Sequence, residues 1–470
     1  MLSRALLGRH WTAGAACALA SSRQINTSAW RGHVQPVPAD IDGDSNAAPG
    51  EAGVNGALGH RRWLAELGAI RTDWTREEVA DVFATPLLEL VYHAATVHRM
   101  YNDPSMVQRC TLLSIKTGGC PENCGYCSQS SHWSKDTGLK AEKLMDLEEV
   151  YQAALRAKQA GSTRFCMGAA WRGPSQVGKG QWTRVLDMVK RIRALDMEVC
   201  TTLGLLTPDQ AQELREAGLT AYNHNLDTSP EYYEKVTTTR KYEDRLNTLE
   251  NVRQAGISVC AGGIIGLGEG KMDRVGLLHQ LATLPAHPES VPINALVAVK
   301  GTPMQGNQAP EALDVVRCIA TARVIMPRTV VRLSAGRMNF GLGDQALCFM
   351  AGANSIFDGD KLLTTPNNDR NEDLAMFEAL GLRSRPAFLP YGAGNESSAT
   401  DFAAAAAGEA GGCRGDGSCG GDHGHGHGHH HHGVETDSHE QGRGEAASAH
   451  AGGGCGGRGA CGGHQHAAHA

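Results

Sequence analysis

Between residues 112 and 357, short β-rich runs alternate with longer segments whose apolar positions recur at helical spacing. The first strand candidates begin at Leu112 (LLSIKT), Thr163 (TRFCMGA), Glu198 (EVCTTLG) and Leu219 (LTAYNHNL). Four more begin at Ile257 (ISVCAGGIIG), Val291 (VPINALV), Val330 (VVRLSAG) and Ala353 (ANSIFDG). Between them, segments such as LEEVYQAALRAKQAG and WTRVLDMVKRIRALD carry the 3.6-residue period of amphipathic helices. Eight βα units in succession predict an α/β fold, a parallel (β/α)8 TIM-type barrel. A doubly wound open sheet is the alternative, because periodicity alone does not decide closure. Upstream, Thr75-x-x-Glu78 ahead of an apolar run has the form of a helix capping box.

The two ends of the 470-residue chain have different compositions from this middle. Residues 1–46 carry Arg4, Arg9, Arg23 and Arg31 among several serines, with no acid before Asp40. That is the composition of an organellar transit segment, so the mitochondrial matrix is the expected location, with the plastid as alternative. Residues 47–60 form a Gly/Ala-rich linker, and 61–390 are expected to hold the barrel. Residues 391–470 turn to Gly, Ala, His and Cys, and such a segment has nothing with which to bury a core. Disordered extensions are therefore expected at both ends. A net charge of −6 argues against a broad nucleic-acid footprint. The lack of an uninterrupted apolar run of about 18 residues argues against a membrane span.

Fourteen cysteines change the picture from fold to chemistry. The chain is too long for a small disulfide scaffold, so clustered thiols point to metal or redox chemistry. The strongest signal is Cys120-Pro-Glu-Asn-Cys124-Gly-Tyr-Cys127, a C-x3-C-x2-C loop just after the first strand. Three soft thiolates on one loop suit an iron–sulfur cluster or zinc. Three ligands for four irons leave one iron open to a reactive ligand. The bland alternative is a zinc site completed by His132 or a distant cysteine. Cys166, Cys200 and Cys260 each sit in a strand candidate, as does Arg332. Any one of these cysteines alone reads as a small buried hydrophobe. An arginine in an apolar strand must be paired or ligating, since an isolated buried charge is very costly. In a closed barrel, inward side chains from several strands can meet at one depth. Cys318 and Cys348 read as helix packing, and Cys110 has no partner pattern.

The cysteine loop resembles the radical S-adenosylmethionine (SAM) superfamily motif, in which SAM chelates the open iron and Tyr126 matches the aromatic near the adenine. From about Leu64 to Leu389 the chain resembles the biotin synthase family. The matching blocks are SIKTGGCPENCGYCSQS, RFCMGAAWRGP, YNHNLDTSPEYY, GGIIGLGE, PINALV, VRLSAGR and SIFDGDKLLTTPN. The resemblance implies a [4Fe–4S] cluster with SAM on Cys120, Cys124 and Cys127, and a [2Fe–2S] cluster on Cys166, Cys200, Cys260 and Arg332. It further implies that Asn225 and Asp227 contact the SAM ribose, and that Asn223 and Asn294 surround the dethiobiotin ureido ring. Thr364 and Thr365 would receive its carboxylate. Thr201 stands where the family is expected to have Met, and no ligand is altered. The implied reaction is radical insertion of sulfur into dethiobiotin, the last step of biotin synthesis, with the [2Fe–2S] cluster as sulfur donor. No side chain is required as general acid or base. Implied partners are a flavodoxin- or ferredoxin-type electron donor, the iron–sulfur assembly machinery and a second copy in a homodimer. Rival readings are another radical SAM reaction, which should lack the inner Cys/Arg set, and an iron–sulfur or zinc carrier. The tail suggests the latter through its four cysteines and twelve of the chain's 21 histidines.

Overall fold

A computed structural model describes residues 62–389 apart from 360. The transit, linker and Cys/His-tail readings lie outside the described residues. Each of the eight expected strands is present, and because the run beginning at Ile257 forms two pieces, nine strands make the barrel wall. They are β1 (Met106–Lys116), β2 (Arg164–Ala169), β3 (Glu198–Thr202), β4 (Ala221–Asn223), β5 (Ser258–Cys260), β6 (Gly263–Ile265), β7 (Ser290–Ala295), β8 (Val330–Leu333) and β9 (Ser355–Phe357). A two-residue strand, β10 (Arg383–Ser384), adds to β1 at Met106 and Val107. All ladders among β1–β9 are parallel, and β1 pairs with both β2 and β9. That last pairing closes the sheet, so the barrel holds and the open-sheet alternative falls.

The helices follow the expected period. Helix Leu147–Gln159 buries Val150, Ala154 and Ala157 against the sheet, and Lys179–Arg193 buries Val185, Met188, Val189 and Ile192. The capping box is real: Thr75 Oγ1 accepts from the Glu78 amide at 3.1 Å, and the Glu78 carboxylate accepts from the Thr75 amide at 2.9 Å. Cys318 and Cys348 lie buried in helices Ala312–Ile325 and Leu342–Met350, as packing residues should.

Two strands differ from expectation in ways that matter to the site. First, β1 begins at Met106, six residues before Leu112, so Cys110 belongs to the barrel wall. Second, the run ISVCAGGIIG is not one strand. It breaks after Cys260 and resumes at Gly263, and β7 pairs with both pieces. At the break, a Cβ on Gly262 would stand 2.0 Å from the carbonyl oxygen of Pro292, so only glycine lets the two backbones approach there. The Gly262 amide donates to Asn225 Oδ1 at 3.1 Å, and the Gly263 carbonyl accepts from Asn294 Nδ2 at 2.9 Å. The break is thereby turned into a frame for two asparagines.

Candidate cluster and substrate site

The cysteine loop leaves the C-terminal end of β1, the end at which parallel barrels carry their chemistry. Backbone bonds fold it back on itself: the Cys120 amide donates to the Gln129 carbonyl at 2.9 Å, and the Ser131 amide to the Cys120 carbonyl at 2.7 Å. The Cys127 amide donates to the Cys124 carbonyl at 3.0 Å, which keeps the second and third thiols on one tight turn. Distant residues then fasten the loop from outside. Asn123 Oδ1 accepts from the Thr237 hydroxyl at 2.9 Å and from the Thr238 amide at 2.9 Å. Glu122 is buried, accepts from Arg172 Nη1 at 2.8 Å, and also pairs with the Thr239 hydroxyl.

Burial raises the thiol of Cys120 above its usual range. Burial, then the neighbouring Cys124 sulfur, pushes that of Cys127 up to about 12. Three ionised thiolates are thus unfavourable here without a strong positive group among them. Arg240 is the cation that touches the loop thiols, its Nη2 donating to Cys124 Sγ at 3.4 Å. One guanidinium cannot neutralise three thiolates, so the donor set suits a polynuclear cation. His132, the candidate fourth zinc ligand, instead places Nε2 3.2 Å from the Pro121 carbonyl. No group of three or more His, Cys, Asp or Glu side chains among the described residues is arranged to hold a single metal ion.

Below the loop lies a cavity of about 320 Å³, within the range of small-molecule sites. The three loop cysteines line its mouth, and Cys166, Cys200 and Arg332 line its floor. Asn223, Asn225, Asp227, Asn294, Thr364 and Thr365 line its sides, so the structure brings nearly all the expected site residues to one space. Cys260 is the exception. It is fully buried, shares the inward face of its register partner Asn223, and meets the site through Arg332, whose Nη1 is 3.9 Å from its sulfur. On the floor, Cys166 and Cys200 are register partners in β2 and β3. Burial opposes the charge on Arg332, but the facing sulfurs of Cys110, Cys260 and Cys166 outweigh it and hold the guanidinium protonated.

The side walls are held as firmly. Asp227 sits at φ 67°, a left-handed conformation that few residues other than Gly, Asn and Asp adopt without cost. Its carboxylate accepts from the Tyr126 hydroxyl at 3.1 Å and pairs with Arg245. Arg245 Nε also donates to the Tyr233 hydroxyl at 2.7 Å. Asn223 Nδ2 donates to Thr202 Oγ1 at 3.1 Å, and Ser128 and Thr364 share a hydroxyl contact at 3.0 Å that ties the cysteine loop to the C-terminal loop. His224 Nε2 and Ser334 Oγ are buried at the cavity with no protein partner. Burial first, then Arg245 and Arg240, keeps His224 neutral by lowering its pKa well below the usual range. Orphaned buried polar atoms facing a cavity are what a polar ligand would satisfy. The sequence reading missed His224, although it lies between Asn223 and Asn225 in a quoted block. It also missed Arg240 and Glu122, whose side-chain hydrogen-bond partners lie 50 to 117 residues away.

Because Asp227 and Arg245 are both buried, removing one partner strands the other. Arg245→Ala should destabilise the fold by about 3–5 kcal/mol, read as a fall in denaturant midpoint at unchanged slope. A midpoint equal to that of the unaltered chain would mean that the pair does not hold the wall.

Residues 114–281 match the model described as "Radical SAM superfamily", and residues 292–383 match "Biotin and Thiamin Synthesis associated domain". The mitochondrial biotin synthase of Arabidopsis thaliana is 60% identical over 317 residues, covering 67% of this chain and 83% of that protein. The biotin synthase of Schizosaccharomyces pombe is 52% identical over 339 residues, 71% of this chain and 92% of that one. Among solved structures, methylornithine synthase superposes with a TM-score of 0.56 at 19% identity, covering 66% of this chain and 94% of that one. At that identity the likeness speaks for the barrel alone.

Proposed function

The chain belongs to the biotin synthase family of radical SAM enzymes, and from that premise we propose how its own residues serve sulfur insertion into dethiobiotin. Family membership brings a [4Fe–4S] cluster and SAM; Cys120, Cys124 and Cys127 are the residues that would hold them at the cavity mouth. Cys166, Cys200, Cys260 and Arg332 would hold a [2Fe–2S] cluster at the floor. When bound, the outer cluster would supply an electron for SAM cleavage and the inner one a sulfur atom.

The single observation that carries this reading is that thiols from the loop beyond β1 and thiols from within β2 and β3 line one cavity, together with amides and a carboxylate. A substrate lying between would face a radical source on one side and a sulfur source on the other. Asp227, paired with Arg245, would accept from ribose hydroxyls, with Asn225 beside it. Asn223 and Asn294 would meet a ureido ring, and the hydroxyls of Thr364 and Thr365 a carboxylate. The neutral His224 and the Ser334 hydroxyl have free polar atoms in the same space. No proton need be moved by a strong base. The chain's work is to bind, to orient, and to keep water and stray hydrogen donors out.

The test is anaerobic reconstitution with iron and sulfide, followed by an iron count and a dethiobiotin assay. Biotin formation with both clusters loaded supports the reading; SAM cleavage without biotin would leave another radical SAM reaction in its place. An electron donor of flavodoxin or ferredoxin type and a homodimeric state belong to the same proposal. Mitochondrial delivery by residues 1–46 does too, supported by their composition and by the mitochondrial relative. A reporter carrying the first sixty residues should enter mitochondria. Cytosolic fluorescence would refute that, and plastid import would correct it.

A further inference from the structure

Four thiols converge on the floor of the barrel, where the family resemblance calls for three. Cys110 lies in β1 two residues before Leu112, whose register partner is Cys166, so its side chain faces the same interior. It is fully buried and packs with Cys166, Cys200 and Ala221 in a small cluster separate from the main core. A buried cysteine by itself is ordinary packing. Here its sulfur stands 3.4 Å from Nη2 of Arg332, while the Cys260 sulfur stands 3.9 Å from Nη1. One guanidinium is therefore bracketed by two thiols. It also donates to Ser355 Oγ at 3.0 Å and Gln108 Oε1 at 3.5 Å and lies over the Phe357 ring at 4.7 Å from its centre, so no carboxylate is among its hydrogen-bond partners. A buried cation ordinarily has an anionic partner, and the cysteines are the groups at hand to provide one.

An iron–sulfur cluster of two irons takes four protein donors, usually all thiolates. We propose that Cys110 is an alternative fourth ligand of the inner cluster, able to take the position otherwise filled by Arg332. The exchange needs no oxidant or reductant. The Cys110 thiol gives up its proton as its sulfur binds iron, and the displaced guanidine takes that proton up as the free guanidinium. The proposal rests on the reading of the inner cysteines as cluster ligands.

Four proteins test it after anaerobic reconstitution with iron and sulfide: the unaltered chain, Cys110→Ser, Arg332→Met and the double variant. Iron, sulfide, visible absorption and Mössbauer spectra are the readouts. The unaltered chain and both single variants should hold about six irons per chain, four outer and two inner. The double variant should fall towards about four. Circular dichroism of the metal-free proteins checks that all four fold. Arg332→Met alone gives a second readout that does not depend on the double variant: its two inner irons should both show all-thiolate environments. A double variant that keeps six irons, or unequal inner irons in Arg332→Met, overturns the role of Cys110. Only four irons in the unaltered chain would instead overturn the inner-cluster reading beneath it.

Discussion

Cys124→Ala should abolish 5′-deoxyadenosine formation from SAM, and Cys120→Ala and Cys127→Ala should do the same. On the proposed reading each thiol is one of three donors on a loop whose backbone bonds fix their relative positions, and two remaining thiols would not keep three irons bound while leaving the fourth open. Loss of a partner that merely orients a ligand costs roughly 10–100-fold in metal affinity or activity, so loss of a ligand itself should exceed that. The loop should nonetheless keep its shape in these variants, because Asn123, Glu122 and Gln129 hold it through bonds that involve no sulfur. A drop in outer-cluster iron together with unchanged circular dichroism would tie the loss to ligation. Normal SAM cleavage by any of the three would remove this loop from the chemistry.

The second large effect should be selective. Cys260→Ala should leave SAM cleavage within a few-fold of the unaltered chain while reducing biotin to background. Cys260 is fully buried and is not among the residues that line the cavity. Its loss therefore cannot be explained by a missing substrate contact, and a packing role would show as lowered stability with biotin still formed. Arg332 should be more forgiving, because a guanidine is a weak donor and Cys110 lies beside it. Biotin formation at the normal rate by Cys260→Ala would exclude Cys260 from the sulfur source.

The parts of the fold that follow from local spacing were legible in the sequence. Strands buried on both faces are continuous apolar runs, and the helices between them repeat at 3.6 residues. The motif C-x3-C-x2-C is legible for the same reason, since its donors are neighbours in the chain. What was missed depends on contacts made across the barrel. The first half of β1 carries Gln108 and Arg109, which do not look like interior residues. They are buried because Glu198 and Asp358, from β3 and just past β9, meet them there. The polar start of the strand hid Cys110 as well. The break between Cys260 and Gly263 comes from a close approach to Pro292 that no local pattern records. Arg240 looked like any charged loop residue until the fold set it against Cys124.

The central claim is that the barrel floor supplies the sulfur, and one measurement addresses it most directly. The enzyme is reconstituted with isotopically labelled sulfide, freed of excess sulfide, and allowed a single turnover with dethiobiotin, SAM and reductant. The account predicts labelled biotin, formed in step with loss of the [2Fe–2S] absorbance. Unlabelled biotin, or an inner cluster fully intact after that turnover, would contradict it.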